Sequence, residues 1–201
     1  MAPTVYHRGM AINLDEQGRP WTISGGGPVI VLPAESAAAW RGTEPPLGAA
    51  VPPGWTWGSA GGPECDYDRA CAPQGFMGTP YGGFGWLDVG GKPALLLDAE
   101  IVTVWLAEPG GGTIVRAQIE EASRDPASIG DGDWKPFPAA TVDLADGRLF
   151  MFDSAFPGAA QPEAIAAHDG VGVITLEPGR WSITCASSAD EVDFIRFRRA
   201  P

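Results

Sequence analysis

The sequence is poor in the residues that metal sites and disulfide frameworks need. Its 201 residues include three cysteines and two histidines, with no CxxC pair and no second ligand near either histidine. A structural zinc site takes about four such ligands, and a secreted disulfide scaffold normally has an even number of cysteines. Neither histidine belongs to a pair at metal-ligand spacing. We therefore predict no metal and no disulfide framework, although Cys65 and Cys71 could pair in an oxidising compartment.

Basic residues are also scarce. Lys and Arg number 13 against 25 Asp and Glu, which gives a formal net charge of -12 at pH 7. Such a charge repels nucleic acid and anionic membranes, and it speeds encounter with a basic protein. We predict neither nucleic acid nor membrane as a partner. Two interpretations of the acidity stay open, namely solubility alone and attraction to a basic partner.

Long apolar runs and catalytic motifs are missing as well. No window approaches the roughly 20 apolar residues of a membrane span, and Met1 to Asp15 has no signal-peptide core, so we expect a cytoplasmic protein. GxSxG, HExxH, P-loop and complete dinucleotide patterns are all missing. Paired acids such as Asp98 with Glu100 could act as general acid and base, but such pairs are common in an acidic chain and do not by themselves indicate catalysis. We predict that the protein is not an enzyme and has no cofactor.

Glycine and proline, in contrast, are abundant, at 28 and 20 residues, and they separate short apolar segments. This spacing predicts a mainly β protein of antiparallel sheets, forming a two-lobed β-sandwich or barrel-like fold with one or two short helices. Alternation around Arg116 predicts a strand with one solvent-facing side. The helices are expected at Ala34 to Trp40 and near Asp66. Predicted strands cover 29–32, 84–89, 93–98, 101–107, 113–119, 137–144, 149–152, 171–176, 181–186 and 192–198.

Pro/Gly-broken stretches divide the chain. We predict an irregular N-terminal arm, a first β lobe with a long loop, a linker and a second β lobe, at residues 1–20, 21–124 (loop 43–64), 125–135 and 136–201. Gly27 and Gly147 each precede an apolar strand, and this internal echo suggests two related lobes. Ordinary hairpin patterns produce the same echo, so duplication is one of two interpretations.

The candidate partner-binding residues are Trp55, Trp57, Asp66 and Asp68. Both tryptophans lie in a loop whose five glycines and paired prolines prevent any regular element, and exposed tryptophan is typical of binding surfaces. The loop could equally be a simple insertion. The two acids most simply begin a short helix, and a metal site is the less favoured alternative. Asp153, before a Pro-Gly turn, is predicted to cap that turn.

Several strings carry a family resemblance in matching order between Trp21 and Arg198. They are Gly26-Gly27-Pro28-Val29-Ile30-Val31-Leu32-Pro33, Trp40-Arg41-Gly42, Asp66-Tyr67-Asp68-Arg69-Ala70-Cys71, Phe150-Met151-Phe152-Asp153-Ser154-Ala155-Phe156-Pro157-Gly158 and Leu176-Glu177-Pro178-Gly179-Arg180-Trp181. Together they resemble the immunity protein 21 family of bacterial polymorphic-toxin systems. In the family pattern the second string is followed closely by the third, whereas here 43–64 intervenes. Before Trp134 the pattern is helix-like, whereas 125–133 is broken by proline and glycine.

The resemblance implies a small cytoplasmic protein that binds a cognate toxin domain and protects its own cell, and it brings no catalytic residues. Our hypothesis is an inhibitor that neutralises the toxin by occlusion, and the acidic surface favours a basic toxin such as a nuclease. The alternative is a non-enzymatic protein that binds a small ligand between its lobes or has another housekeeping role. The oligomeric state stays open.

Overall fold

The computed structural model describes residues 6–7, 10–11, 14–59, 61–72, 74–79, 82–98, 101–117, 133–160, 171–188 and 192–201. In these ranges the strands are accompanied by the α-helix α1 (Asp66–Cys71) and by 3₁₀ segments at Ala34–Ala39 and Gly158–Ala160. The strands are β1 (Tyr6–His7), β2 (Met10–Ala11), β3 (Trp21–Thr22), β4 (Val29–Pro33), β5 (Gln74–Thr79), β6 (Gly82–Val89), β7 (Lys92–Leu97), β8 (Val102–Glu108), β9 (Gly111–Ala117), β10 (Lys135–Leu144), β11 (Arg148–Asp153), β12 (Gly172–Thr175), β13 (Gly179–Ser187) and β14 (Asp193–Arg199).

Two six-stranded antiparallel sheets form the body of the protein. The first sheet has the order β10-β13-β14-β9-β8-β3, and the second has the order β12-β11-β4-β7-β6-β5. β1 pairs with β2 alone. In the described part neither sheet closes into a barrel. The prediction of a mainly β protein with antiparallel sheets and short helices is confirmed. β7 and β8 lie inside their sheets, which agrees with their nearly continuous apolar sequences.

Each sheet combines strands from both sides of the predicted linker. β11 pairs with β4, with Phe150 opposite Leu32, and β14 pairs with β9, with Ile195 opposite Ile114. The two strands of the internal echo are therefore direct neighbours. Residues 125–132 of the linker lie outside the described ranges, and the division of the chain into domains stays a prediction.

The main core lies between the two sheets. Alternate residues of each strand point inward, so both sheets contribute to one buried cluster that includes Val31, Leu95, Met151, Trp181 and Phe197. Cys185 belongs to this cluster and is buried. The burial of Cys185 raises the pKa of its thiol to about 11. This core fixes the second sheet as a rigid base for what lies on its outer face.

The outer face of the second sheet is covered by short helical segments. Trp40 is fully buried against Ile30, Leu32 and Phe152. The segment before it is a 3₁₀ helix rather than the predicted α-helix. The backbone N–H of Trp40 donates to Ala37 three residues back, and this tighter bonding is typical of short segments that end at an anchored residue.

One prediction on the first sheet is wrong. Arg116 does not face solvent, because it is 1% exposed on the inner side of β9. Its guanidinium pairs with Asp193, directly opposite on β14, at 3.4 Å, and donates to the carbonyl of Asp98 at 2.6 Å. Burial raises the pKa of Asp193, while Ser187 and Arg116 act in the opposite direction. The alternation of apolar and polar residues along β9 could not show that Arg116 is buried, because its partner Asp193 lies 77 residues away in the sequence.

Candidate functional site

The loop at 43–64 begins from a buried position on the outer face of the second sheet. Gly42 has a φ of 59°, and its carbonyl accepts a hydrogen bond from the Tyr67 N–H at 3.0 Å. The Thr43 N–H donates to the Ala155 carbonyl, also at 3.0 Å. Positive φ favours glycine, so the sequence places a glycine where the chain leaves the sheet. The loop therefore starts from a fixed point.

The loop itself has no helix or strand among its described residues, as predicted. It consists instead of consecutive tight turns, closed by backbone hydrogen bonds from Ala49 to Pro46, from Trp55 to Pro52, from Ser59 to Thr56 and from Gly62 to Ser59. The Ser59 hydroxyl also accepts a hydrogen bond from the Thr56 N–H at 3.1 Å. Local bonding of this kind gives an irregular segment a defined backbone.

The two predicted tryptophans differ in environment. Trp57 is 51% exposed, and its ring meets the Tyr67 ring edge-on with centroids 5.0 Å apart. Trp55 is half-buried, and its indole Nε1 is buried with no hydrogen-bond partner among the described residues. A Cβ on Gly62 would overlap the Trp55 indole, so the indole lies against the Gly62 backbone. Trp55 therefore faces its own loop more than Trp57 does.

α1 follows the loop and begins at the acidic string of the sequence. Cys65 is the N-cap, and its N–H donates to the Asp68 carboxylate at 2.9 Å, as in a capping box. Asp66 accepts hydrogen bonds from the Arg41 N–H at 2.8 Å and from Arg69 at 2.6 Å. Acidic side chains in the first turn also interact favourably with the positive end of the helix dipole.

Asp66 and Asp68 thus have local structural bonds, as the helix-start interpretation predicted. Both are partly exposed, and their role in partner binding stays a prediction. A metal site receives no support among the described residues, where no group of three or more potential ligands occurs. Glu100, which belongs to the other acidic pair, and His168 lie outside the described ranges.

The titratable groups beneath the loop favour their neutral forms. Burial raises the pKa of Tyr67 to about 12. It also raises the pKa of the thiols of Cys65 and Cys71, which are free in this structure. A nucleophilic cysteine needs a lowered pKa, so neither thiol is activated for chemistry. The arrangement suits binding through shape, apolar area and charge.

The turn after β11 has the structural role predicted for it. The Asp153 carboxylate accepts a hydrogen bond from the Ala155 N–H at 2.9 Å and another from the Ser24 hydroxyl at 2.8 Å. Ser154 is fully buried, and its carbonyl accepts the indole N–H of Trp40. These bonds confirm that Asp153 caps the turn.

Sequence reasoning missed Leu47 and Val51 as candidate contact residues. They are 83% and 42% exposed, and with Trp57 they are the exposed large hydrophobic residues of the described ranges. The signal was present in the spacing of proline and glycine: Pro46-Leu47-Gly48 predicts a tight turn with leucine at its corner. The same pattern appears at Thr56-Trp57-Gly58.

Comparison with known proteins supports one assignment. The family model described as Immunity protein 21 matches residues 20–193. No curated protein and no solved structure matches the chain. In the described ranges, no helix has the length and apolar character needed to cross a membrane. The family match covers most of the chain, including the loop at 43–64, α1 and all strands from β3 to β13. This protein belongs to the Immunity protein 21 family.

Proposed function

We propose that this protein binds a cognate toxin domain and neutralises it by occluding the toxin's working surface. The family match over residues 20–193 is the observation that carries the proposal. Immunity by occlusion is stoichiometric, so it requires a stable contact surface and no catalytic group. The neutral thiols beneath the loop and the exposed side chains on it agree with such a role.

The charge favours a basic toxin, and a nuclease fits best. Nucleases carry basic surfaces because their substrates are polyphosphates. A net charge of -12 attracts such a surface over long range and raises the association rate. We place the contact on the loop at 43–64 and on α1, where Trp55, Trp57, Asp66 and Asp68 lie on one outer face of the second sheet.

Co-expression with the toxin domain encoded beside this gene tests the proposal. We expect the protein to restore growth, and in vitro we expect inhibition to saturate at about one protein per toxin, because occlusion consumes one inhibitor for each toxin. Added salt should slow association. Toxicity that persists in the presence of folded protein, or the lack of any toxic neighbour, would refute the proposal. Protection at far lower ratios would indicate an enzyme instead.

A further inference from the structure

The loop at 43–64 repeats one type of tight turn. In the four tight turns of the loop, the third residue is a glycine with φ between 74° and 77°. A positive φ at the third position is the signature of a type II turn. Residues 46–49 and 56–59 are two of these turns, and their second residues, at the corners, are Leu47 and Trp57.

The side chains at these corners are largely exposed to solvent. Leu47 is 83% exposed and Trp57 is 51% exposed, whereas other large hydrophobic side chains in the described ranges are mostly buried. Val51, which is 42% exposed, precedes the turn at 52–55. The three exposed residues lie within eleven consecutive positions of one loop, and large apolar side chains that are exposed in one segment are typical of interaction sites.

Supports beneath the corners reduce the freedom of the loop before any partner arrives. The Trp57 ring contacts Tyr67, and Tyr67 is only 8% exposed. A Cβ on Gly27 would overlap the Tyr67 ring, so this ring lies directly on the glycine hinge before β4. Trp55 lies against Gly62 within the loop. A surface that is ordered in advance loses less entropy on binding.

We propose that Leu47, Val51 and Trp57 form a preorganised docking surface, the turn-corner surface, which inserts into an apolar recess bordered by Lys and Arg on a protein partner. This inference rests on the proposed function and assigns its contact residues. Trp57 contacts the partner directly, whereas Trp55 supports the loop from inside. The two tryptophans of Trp55-Thr56-Trp57 thus have different roles, one supporting the loop and the other binding the partner.

Charge identifies the kind of partner. Residues 43–68 contain four acids, Glu44, Glu64, Asp66 and Asp68, and no Lys or Arg. The flanking Arg41 and Arg69 pair with Glu44 and Asp66, so the stretch with its two flanks keeps two acids in excess. An apolar surface with an acidic border complements a recess with a basic border. A second copy of this chain would bring the same acids against it, and nucleic acid would be repelled. A basic protein is the occupant that the charges favour.

The test measures binding of the inactivated toxin domain encoded beside this gene to purified full-length variants. We expect Leu47→Ser and Trp57→Ser each to raise the Kd about tenfold or more, as for central apolar contacts. Ala50→Ser is the matched control in the same loop, since Ala50 is exposed and small, and its Kd should stay at the wild-type value. Circular dichroism and thermal unfolding check that each variant is folded.

Leu47→Ser keeps the test valid even if Trp57→Ser loosens the loop, because Leu47 is almost fully solvated. If both variants bind the toxin as tightly as the wild-type protein does, the turn-corner surface is not the contact surface, and the proposed function still stands. A wild-type protein that does not bind the toxin would overturn both. Light scattering gives a further outcome: a wild-type dimer that Leu47→Ser dissociates would assign the surface to a second copy and overturn the inference.

Discussion

The loop at 43–64 and the turn at 153–158 are built from the same kinds of residues but have opposite environments. Both combine proline, glycine and an aromatic residue. The turn buries Ser154, and its backbone bonds other elements: the Ser154 carbonyl accepts the Trp40 indole N–H, and the Ser154 N–H donates to Pro28. The loop bonds mostly within itself and exposes Leu47.

The difference shows what separates scaffold from contact surface in a chain rich in proline and glycine. Such residues specify turns, but they do not specify where the turn lies. A turn whose polar groups bond distant strands must stay in place, because each broken bond would leave a buried group unsatisfied. A loop that satisfies its own groups is free to present side chains to a partner. The two regions meet at Gly42, Thr43 and Ala155.

The largest expected effect separates two tryptophans that lie 17 positions apart. Trp40 is fully buried and bonded to Ser154, so Trp40→Ala should lower the free energy of unfolding by about 3–5 kcal/mol. Trp57→Ala should lower it by about 1 kcal/mol or less, because half of this side chain is already solvated. Chemical denaturation measures both. Equal losses for the two variants would contradict the contrast between scaffold and contact surface.

A smaller effect is expected where the two regions touch. Gly42 has a positive φ, and a Cβ there would overlap the backbone of Ala155. We expect Gly42→Ala to lower the free energy of unfolding by about 2–3 kcal/mol. Gly48 is the matched control, since its φ is also positive but nothing lies within 4 Å of an added Cβ. Gly48→Ala should cost about 1 kcal/mol, and a control loss as large as that of Gly42→Ala would argue against the backbone contact.

The sequence predicted most strands because their signals are local. Glycine and proline mark the turns, and apolar runs between them indicate buried strands, as in β4, β7 and β11. β5 was not among the predicted strands, since two glycines in Gln74–Thr79 weaken its strand character. The pairing of β11 with β4 was also not predictable, because packing rather than local sequence selects partners more than 100 residues apart.

The candidate site was predicted in part for the same reason. The acidic start of α1 and the irregular loop are local features, and both were identified. The burial of Trp55 beside Gly62 and the exposure of Leu47 depend on how successive turns orient their side chains. The partner of Arg116 lies on another strand, so a local pattern indicated a solvated side chain. Residue types were visible in the sequence, whereas their directions needed the fold.

The smallest effect concerns Tyr67, which joins the loop to the scaffold. Burial raises the pKa of Tyr67 from 10 to about 12, so the folded protein holds the phenolic proton more tightly than the unfolded chain does. The resulting stabilisation is fully present below pH 10 and is lost as pH rises from 10 to 12. At pH 11 the loss should be about 1 kcal/mol. Chemical denaturation at pH 8 and pH 11 measures the total loss for wild type and for Tyr67→Phe. The cysteine thiols, whose pKa values are also raised, add the same loss to both proteins, so the difference between the two losses is the contribution of Tyr67.

The same titration tests whether the loop covers the scaffold. The difference in ultraviolet absorbance between wild type and Tyr67→Phe isolates the phenolate of Tyr67 from the other two tyrosines. Trp57 lies edge-on to this ring, so Trp57→Ser should hydrate Tyr67 and lower the pKa of Tyr67 toward 10. Leu47→Ser should leave it near 12, because Leu47 is almost fully solvated. A Tyr67 that titrates near pH 10 in the wild-type protein would show that the Trp57 contact does not shield it, and the loop would then lose its main support.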